Sequence, residues 1–199
     1  MSKIIGLCGG SGSGKGFVGS FFTKNGYLVI DTDKVYRDIT DNSSQCLDAL
    51  VCEFGADIIN DKGGLDRKRL AGLVFSDKNK LKILNAITHR FILDRVRSII
   101  QNSASDGYAG FIVDAPLLFE SGFDKECDLT ICVIADEKIR IERIINRDGI
   151  SYEAAKARIN SQISNDELIN KCTYSIENNS TDQKLRNEVA DLYKTIFDN

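Results

Sequence analysis

The chain has 199 residues, 42% of them hydrophobic and 28% charged, values that describe an ordinary globular protein with one sizeable core. The formal net charge of −3 gives no argument for binding to nucleic acid or to a membrane surface, so any bound phosphate must be met by local positive charge. No apolar stretch approaches the length of a transmembrane helix. We expect a cytoplasmic protein whose six cysteines are free thiols, because no secretory signal precedes the first strand.

The first predicted elements are a buried strand, a glycine-rich loop and a helix. The strand covers Ile4–Cys8, and the helix opens near Phe17. Residues 9–16 match the pattern G-x-x-x-x-G-K-[ST] at every fixed position except the last. Backbone N–H groups in such a loop surround an anion, while the helix N-terminus and Lys15 add positive charge. The pattern therefore predicts a site for a nucleoside triphosphate. A plain flexible turn is the weaker interpretation, because so many glycines cost chain entropy.

The strands and helices that follow alternate along the chain, which predicts a parallel α/β sheet. Residues 34–100 interrupt this alternation with a mostly helical segment, in which 57–64 form a turn-rich connection and Asp66 caps a helix. Asp136 and Ser151 are predicted to cap two later helices, which end near Arg147 and Ile163. The remaining predicted strands are Tyr27–Ile30, Gly110–Asp114, Leu129–Ile134 and Tyr174–Ile176, and the closing helix is Gln183–Phe197.

Acidic residues follow two of these strands. Ligands of open α/β sheets bind beyond the carboxyl ends of the strands, which favours a functional role for Asp33 and Asp114. Asp33 could accept a proton from a substrate hydroxyl, and Asp114 could hold Mg²⁺ directly or through water. The alternative is that these acids only cap helices or turns, and this alternative is strongest for Asp31.

Basic residues form two further groups. Arg140, Arg143 and Arg147 have the i, i+3, i+7 spacing that places them on one helix face. That face is either a mobile cover that neutralises a transferred phosphoryl group or a solvated basic surface. In the helical segment, Arg67, Arg69 and His89 could meet the phosphates of an acceptor, although a structural role for His89 remains open.

Taken together, these motifs resemble the dephospho-CoA kinase family over nearly the whole chain. The glycine loop alone is shared by many kinases, whereas Pro-Leu-Leu-Phe-Glu at 116–120, together with Leu-Asp-Arg-Lys-Arg-Leu at 65–70 and Arg-Asp-Gly at 147–149, is highly specific for this family. The other segments that carry the resemblance include Asp31-Thr32-Asp33-Lys34, Asp114-Ala115, Gly122 and Ala157-Arg158-Ile159 with Gln162.

The resemblance implies an α/β P-loop kinase fold, with a five-stranded parallel sheet flanked by helices. The whole chain, 1–199, would form one kinase unit. Its nucleotide-binding core would be residues 1–37 and 96–199, with an arginine-bearing lid at 137–165. Residues 38–95 would be a helical insertion that binds dephospho-CoA.

The resemblance also implies a reaction, in which the γ-phosphoryl group of ATP moves to the ribose 3′-hydroxyl of dephospho-CoA. Asp33 would be the general base, with Lys15, Arg143 and Arg147 as the other catalytic residues. The implied ATP-binding residues are Gly10, Ser11, Gly12, Ser13, Gly14, Lys15, Gly16, Phe17 and, near the adenine, Asn178. The implied dephospho-CoA-binding residues are Asp33, Arg67, Arg69, His89, Asp114, Pro116 and Leu117.

Mg²⁺ would accompany ATP, held by Asp33 or Asp114 directly or through water. Besides ATP and dephospho-CoA we expect no nucleic-acid or membrane partner, and a monomer or weak oligomer.

Two positions depart from the family pattern. Gly16 stands where a Ser or Thr hydroxyl would ligate Mg²⁺, and His89-Arg90 replaces the family's His-Pro. Two alternatives therefore stay open. One is a nucleoside-monophosphate-type kinase, which shares the loop and the arginine lid but does not require the 65–70 and 116–120 segments. The other is an ATP-binding protein whose catalysis is impaired by Gly16.

Overall fold

The computed structural model describes residues 2–41, 44–74 and 77–197. The chain divides into two compact units, one containing the chain up to Val29 and from Gly107 onward, the other covering Ile30–Asp106. The strands are β1 (Lys3–Cys8), β2 (Tyr27–Asp31), β3 (Gly110–Asp114), β4 (Leu129–Ile134) and β5 (Tyr174–Glu177). The helices are α1 (Lys15–Lys24), α2 (Thr32–Asp41), α3 (Gln45–Phe54), α4 (Arg67–Val74), α5 (Lys78–Asn102), α6 (Glu137–Asp148), α7 (Tyr152–Asn160), α8 (Asn165–Lys171) and α9 (Asp182–Phe197).

The predicted five-stranded parallel sheet is confirmed, with strand order β2-β3-β1-β4-β5. The central strand, β1, pairs in parallel with β3 on one side and β4 on the other. Central parallel strands are covered on both faces, so their sequences are apolar runs rather than alternating patterns, as in Leu129–Ile134. The register pairs Leu7 with Asp114, which brings the carboxyl end of β3 beside the point where β1 ends.

The core of the first unit forms where the sheet meets α1 and α9. Ile5, Ile131 and Val189 are fully buried there, together with other aliphatic side chains from the same elements. Phe22 of α1 packs edge-on against Tyr27, with ring centroids 5.2 Å apart, an arrangement that aromatic quadrupoles favour. This packing holds the first helix, and with it the end of the glycine loop, firmly against the sheet.

The second unit contains the segment that was predicted to be mostly helical, residues 34–100, and it has a core of its own. Leu50 and Ile58 are fully buried and pack with Leu65, Leu70 and other apolar residues of α3 and α4. The predicted cap at Asp66 is confirmed, because its Oδ1 accepts the N–H of Arg69 at 3.0 Å. The predicted bounds of the substrate insertion and of the lid stay predictions.

The segment after β4 differs from the sequence prediction in three details. Asp136 occupies the N-cap position of α6, but its side chain makes no capping hydrogen bond. The helix capped by Ser151 ends at Asn160 rather than near Ile163. A further short helix, α8, was not predicted; it is capped by Ser164 and buries only Leu168, so it carries almost no apolar periodicity. Among all the helices of the described ranges, none has both the length and the apolar character needed to cross a bilayer.

Candidate functional site

The glycine loop leaves β1 after Cys8 and enters α1 at Lys15. Gly9, Gly12 and Gly14 have positive φ angles of 148°, 77° and 100°, a backbone region that favours glycine. Within the described chain, no side chain caps the N-terminus of α1. The first N–H groups of that helix have no partner inside the helix, so they can bind an anion.

Close packing against neighbouring elements adds a second reason for the glycines. A Cβ atom on Gly10 would lie 2.1 Å from Nη2 of Arg140. On Gly12 it would lie 2.7 Å from the Arg140 carbonyl oxygen, and on Gly14 it would lie 2.2 Å from Nδ2 of Asn178. The loop therefore has its shape because α6 and the residue after β5 reach its backbone.

Each backbone carbonyl group from residue 9 to residue 14 accepts a hydrogen bond. Two are bound by backbone N–H groups: Gly10 by Ser13 at 3.1 Å and Gly14 by Phe17 at 3.0 Å. The other four are bound by side chains: Gly9 by Lys15 Nζ (3.0 Å), Ser11 by Arg140 Nε (2.9 Å), Gly12 by Arg143 Nη1 (3.2 Å) and Ser13 by Asn178 Nδ2 (2.8 Å). Because every carbonyl oxygen from residue 9 to residue 14 has a donor, none of them is left unpaired when a phosphate binds to N–H groups of the loop.

Asn178 joins two parts of this arrangement. Its side chain is buried, and its Oδ1 accepts a hydrogen bond from Nη2 of Arg143 at 3.2 Å. Its own backbone N–H is fixed by the carbonyl oxygen of Ile134 at 2.8 Å. The amide side chain thus holds the loop and orients Arg143; a contact with adenine stays a prediction.

The three arginines predicted to share a face of α6 have different environments. Arg140 and Arg143 bind the loop, whereas Arg147 forms a two-point ion pair with Asp148, with its Nε 2.7 Å from Oδ1 and its Nη2 2.9 Å from Oδ2. Arg158 of α7 contacts the same carboxylate. Hydrogen bonds from Arg147 and Arg158 hold the pKa of Asp148 below its ordinary value of 3.8.

Two side chains that hold the loop were absent from the predicted site. Arg140 is 4% exposed, although the sequence suggested a solvated face or a mobile cover. Burial lowers the pKa of its guanidinium, which nevertheless stays charged at neutral pH. Gln162 accepts the N–H of Ser11 at 3.0 Å. Arg140 lies four residues before the buried Ile144, and this spacing places it on the buried face of α6, which was a usable signal in the sequence. For Gln162 the family resemblance was the one signal that the sequence carried.

The acidic residues have distinct roles. Asp31 caps α2, because its Oδ1 accepts the N–H groups of Asp33 at 3.0 Å and Lys34 at 3.1 Å, so the capping interpretation was right for this residue. Asp33 is exposed in the first turn of α2. Asp114 is the last residue of β3 and is half-buried. The N–H of the next residue, Ala115, donates to Leu7 at 3.0 Å and ties this corner to the end of β1.

The segment after β3 begins with the half-buried Pro116 and the exposed Leu117. Phe119 and Glu120 then line a cavity of about 380 Å³ together with residues 161–163, Glu167 and Lys171. The Pro-Leu-Leu-Phe-Glu segment thus borders an open space in the first unit through Phe119 and Glu120, whereas a binding role for Pro116 and Leu117 stays a prediction.

In the second unit, the residues that were predicted to bind dephospho-CoA are not equally exposed. Arg67 is fixed by Asp41 Oδ1 at 2.8 Å and by Thr40 Oγ1 at 2.9 Å, which leaves its guanidinium partly exposed. Arg69 donates to the Asp57 carbonyl at 3.0 Å and is largely exposed. His89 is half-buried on α5.

Within the described ranges, no three His, Cys, Asp or Glu side chains cluster in a way that would hold a metal ion. Gly16 supplies no hydroxyl group, and a Cβ at this position would meet no atom within 4 Å. Mg²⁺ is often held by one or two carboxylates together with nucleotide phosphates and waters, so a site of that kind does not need a cluster of three protein ligands.

A central parallel strand that runs into a phosphate loop, with arginines and a lysine bound to that loop, defines a P-loop kinase. Comparison with known proteins gives the family. The family model for dephospho-CoA kinase matches residues 3–184. The chain belongs to the dephospho-CoA kinase family.

Individual relatives cover nearly the full chain. A dephospho-CoA kinase of Fusobacterium nucleatum subsp. nucleatum is 39% identical over 193 residues, which are 97% of this chain and 98% of that protein. The crystal structure of TT1252 from Thermus thermophilus is 30% identical with a TM-score of 0.79, covering 98% of this chain and 97% of its own. A dephospho-CoA kinase from Campylobacter jejuni is 28% identical with a TM-score of 0.71, covering 98% of each chain.

Replacing Gly12 by Ala tests the shape of the loop. The new Cβ meets the backbone of α6, and the positive φ disfavours an L side chain, so we expect ATP to bind about tenfold more weakly or worse. Isothermal titration with ATP measures the change. Gly72→Ala is the matched control, because Gly72 lies in α4 with no atom within 4 Å of the added Cβ. Wild-type affinity in Gly12→Ala would contradict the close packing of loop and helix.

The pairing of Asp148 with two arginines predicts a pH dependence of stability. Since the folded pKa is depressed, Asp148 takes up a proton in the unfolded chain near 3.8 while it is still ionised in the folded chain. Its stabilisation is therefore complete above about pH 5 and declines as the pH falls below 3.8. Urea unfolding of wild type and Asp148→Asn should show a difference that shrinks over this acidic range. A difference that is constant from neutral pH to pH ~2 would refute the ion pair.

Proposed function

We propose that this protein transfers the γ-phosphoryl group of ATP to the ribose 3′-hydroxyl of dephospho-CoA, giving coenzyme A and ADP. The observation that carries the proposal is the glycine loop, whose carbonyl oxygens from residue 9 to residue 14 all accept hydrogen bonds, in a chain that belongs to the dephospho-CoA kinase family. Phosphoryl transfer needs little covalent chemistry from a protein; it needs positioning, charge neutralisation and a group that accepts the hydroxyl proton.

On the ATP side, the loop N–H groups and Lys15 bind the β- and γ-phosphates. Residues 10–17 line this site, and Asn178 supports it from the end of β5. Arg143 is already oriented by Gly12 and Asn178, so it can stabilise charge on the transferred group without reorganisation. Arg147 contributes from the end of α6, where Asp148 holds its guanidinium.

On the acceptor side, Asp33 is the general base that takes the proton of the 3′-hydroxyl group. Its exposed carboxylate in the first turn of α2 is compatible with this role. Arg67, Arg69 and His89 bind the phosphates of dephospho-CoA, for which guanidinium groups provide the planar donors. Asp114, Pro116 and Leu117 are the further residues that we propose to bind dephospho-CoA.

Mg²⁺ is the proposed cofactor, with Asp33 and Asp114 as the residues that hold it directly or through water. When bound, it neutralises negative charge on the ATP phosphates. We also propose a cytoplasmic location and a monomeric or weakly oligomeric state.

Coupled measurement of ADP release tests the function. With ATP and Mg²⁺ present, ADP should be released at a substantial rate only when dephospho-CoA is added, and phosphorus NMR should show a new 3′-phosphomonoester. Turnover with AMP in preference to dephospho-CoA would favour a nucleoside-monophosphate kinase. ATP binding without turnover of either acceptor would indicate a protein that has lost catalysis.

Asp33→Asn tests the general base. Removing the proton acceptor should lower kcat by about 10²–10⁴-fold and leave the Kd for ATP nearly unchanged. Asp38→Asn is the matched control, because Asp38 is exposed on the same helix. Initial rates with saturating dephospho-CoA give kcat. A kcat near the wild-type value in Asp33→Asn would remove this residue from the proposed role.

Gly16→Ser tests how the metal is held. A hydroxyl at this position would supply the ligand that the loop lacks, and the space for it is open. We expect the Mg²⁺ concentration for half-maximal activity to fall by about threefold or more. Gly16→Ala, which fits the same space without a hydroxyl, should keep the wild-type Mg²⁺ dependence. Metal-independent turnover by the wild type would contradict the proposed cofactor.

A further inference from the structure

Ser11, at the tip of the glycine loop, has every polar group bound by side chains that come from outside the loop. Its N–H donates to Oε1 of Gln162 at 3.0 Å, and its Oγ accepts from Nε2 of Gln162 at 3.2 Å. Its carbonyl oxygen accepts from Nε of Arg140 at 2.9 Å. A serine in a flexible loop would satisfy these groups with water. Hydrogen bonds from protein side chains to all three groups therefore indicate that the fold holds Ser11 in a fixed position.

The two side chains that bind Ser11 also bind each other. Nη2 of Arg140 donates to Oε1 of Gln162 at 2.8 Å, so one amide oxygen receives both the arginine and the Ser11 N–H. Arg140 is 4% exposed, and a hydrogen bond from a buried guanidinium is stronger than one between neutral groups. We name Ser11, Arg140 and Gln162 the Ser11 clamp.

The clamp connects the loop to a distant part of the chain. Gln162 follows the end of α7, and α7 packs on α6 through a small apolar cluster that includes Ile141, Ile144 and Ile159. Arg140 lies on α6 itself. The α6–α7 pair therefore forms one packed body, and its Arg140 and Gln162 side chains bind the loop at Ser11.

We propose that Gln162 and Arg140 are positioning residues for ATP: by fixing Ser11 from the α6–α7 body, they hold the loop in its phosphate-binding shape. This inference rests on the proposed function, because it gives a role to residues around the same ATP site. Neither residue needs to touch the nucleotide, since both act through Ser11. Loss of the clamp therefore weakens ATP binding and leaves dephospho-CoA binding as it was.

Gln162→Met is the main test, because methionine keeps the length of the side chain and removes its hydrogen bonds. We expect the Kd and the KM for ATP to rise about 5- to 20-fold, the combined effect of three lost hydrogen bonds, while the KM for dephospho-CoA stays within about twofold. Gln183→Met, at an exposed position of α9, is the matched control and should behave as wild type.

A double-mutant cycle separates positioning from general packing. Ser11→Ala removes only the Oγ bond to Gln162 and should raise the Kd for ATP by about threefold or less. That bond is also lost in Gln162→Met, so the double variant should bind ATP no more weakly than Gln162→Met alone. Additive losses, or an unchanged Kd for ATP in Gln162→Met, would overturn the inference.

A KM that rises equally for both substrates, together with a lower Tm, would also overturn it, because that result indicates a structural role only. The Kd for ATP is measured without acceptor. A wild-type protein that binds ATP but does not phosphorylate dephospho-CoA would therefore contradict the proposed function. The role of the Ser11 clamp would still be tested in that case by the Kd values for ATP of the variants.

Discussion

A loop that directs N–H groups toward a phosphate directs carbonyl oxygens the other way, and each of those oxygens needs a donor. Here the carbonyl oxygens of residues 9–14 all have one, and side chains supply four of the six. Three of the four side-chain donors carry positive charge. The same contacts therefore shape the loop and make its surroundings electropositive, in a protein whose net charge is −3.

The sheet order explains why these donors converge. β1 is central and delivers the loop, β4 is its neighbour and leads into α6, and β5 is the next strand and ends just before Asn178. Because the strands are parallel, the segments after β1, β4 and β5 emerge at the same edge of the sheet. Arg140, Arg143 and Asn178 reach the loop from these two neighbouring connections.

Much of this arrangement could be predicted from the sequence. The strands were predictable because they are short apolar runs, and the phosphate loop was predictable because its glycines and lysine have a fixed spacing. The capping role of Asp31 was considered and is confirmed. The burial of Arg140 was not predicted, because an arginine in a polar helix is usually solvated. Hydrogen bonds to the Ser11 carbonyl oxygen, to Gln162 and to Asn165 make its burial favourable. The spacing of Arg140 from Ile144 indicates the buried face of α6, but the partners that bind its guanidinium depend on which elements meet in space, and the sequence does not encode them.

Asn178 illustrates the same limit. The family resemblance implies a residue near the adenine at this position, which stays a prediction; the structure adds hydrogen bonds from its amide to Ser13 and Arg143 that the sequence did not predict. Its isolation in a polar segment gave no sign of burial. α8 escaped prediction for a related reason, since a seven-residue helix with one buried leucine has no detectable period.

If the protein's own side chains hold the loop in shape independently of nucleotide, the loop amides are protected before ATP binds. Amide hydrogen exchange measured by NMR without ATP decides this point. The N–H of Ser11, bound to Gln162, and the N–H of Ser13, bound to Gly10, should exchange at least about tenfold more slowly than in an unstructured chain. Exchange of both amides at the unstructured rate, with protection appearing only after ATP is added, would contradict this expectation.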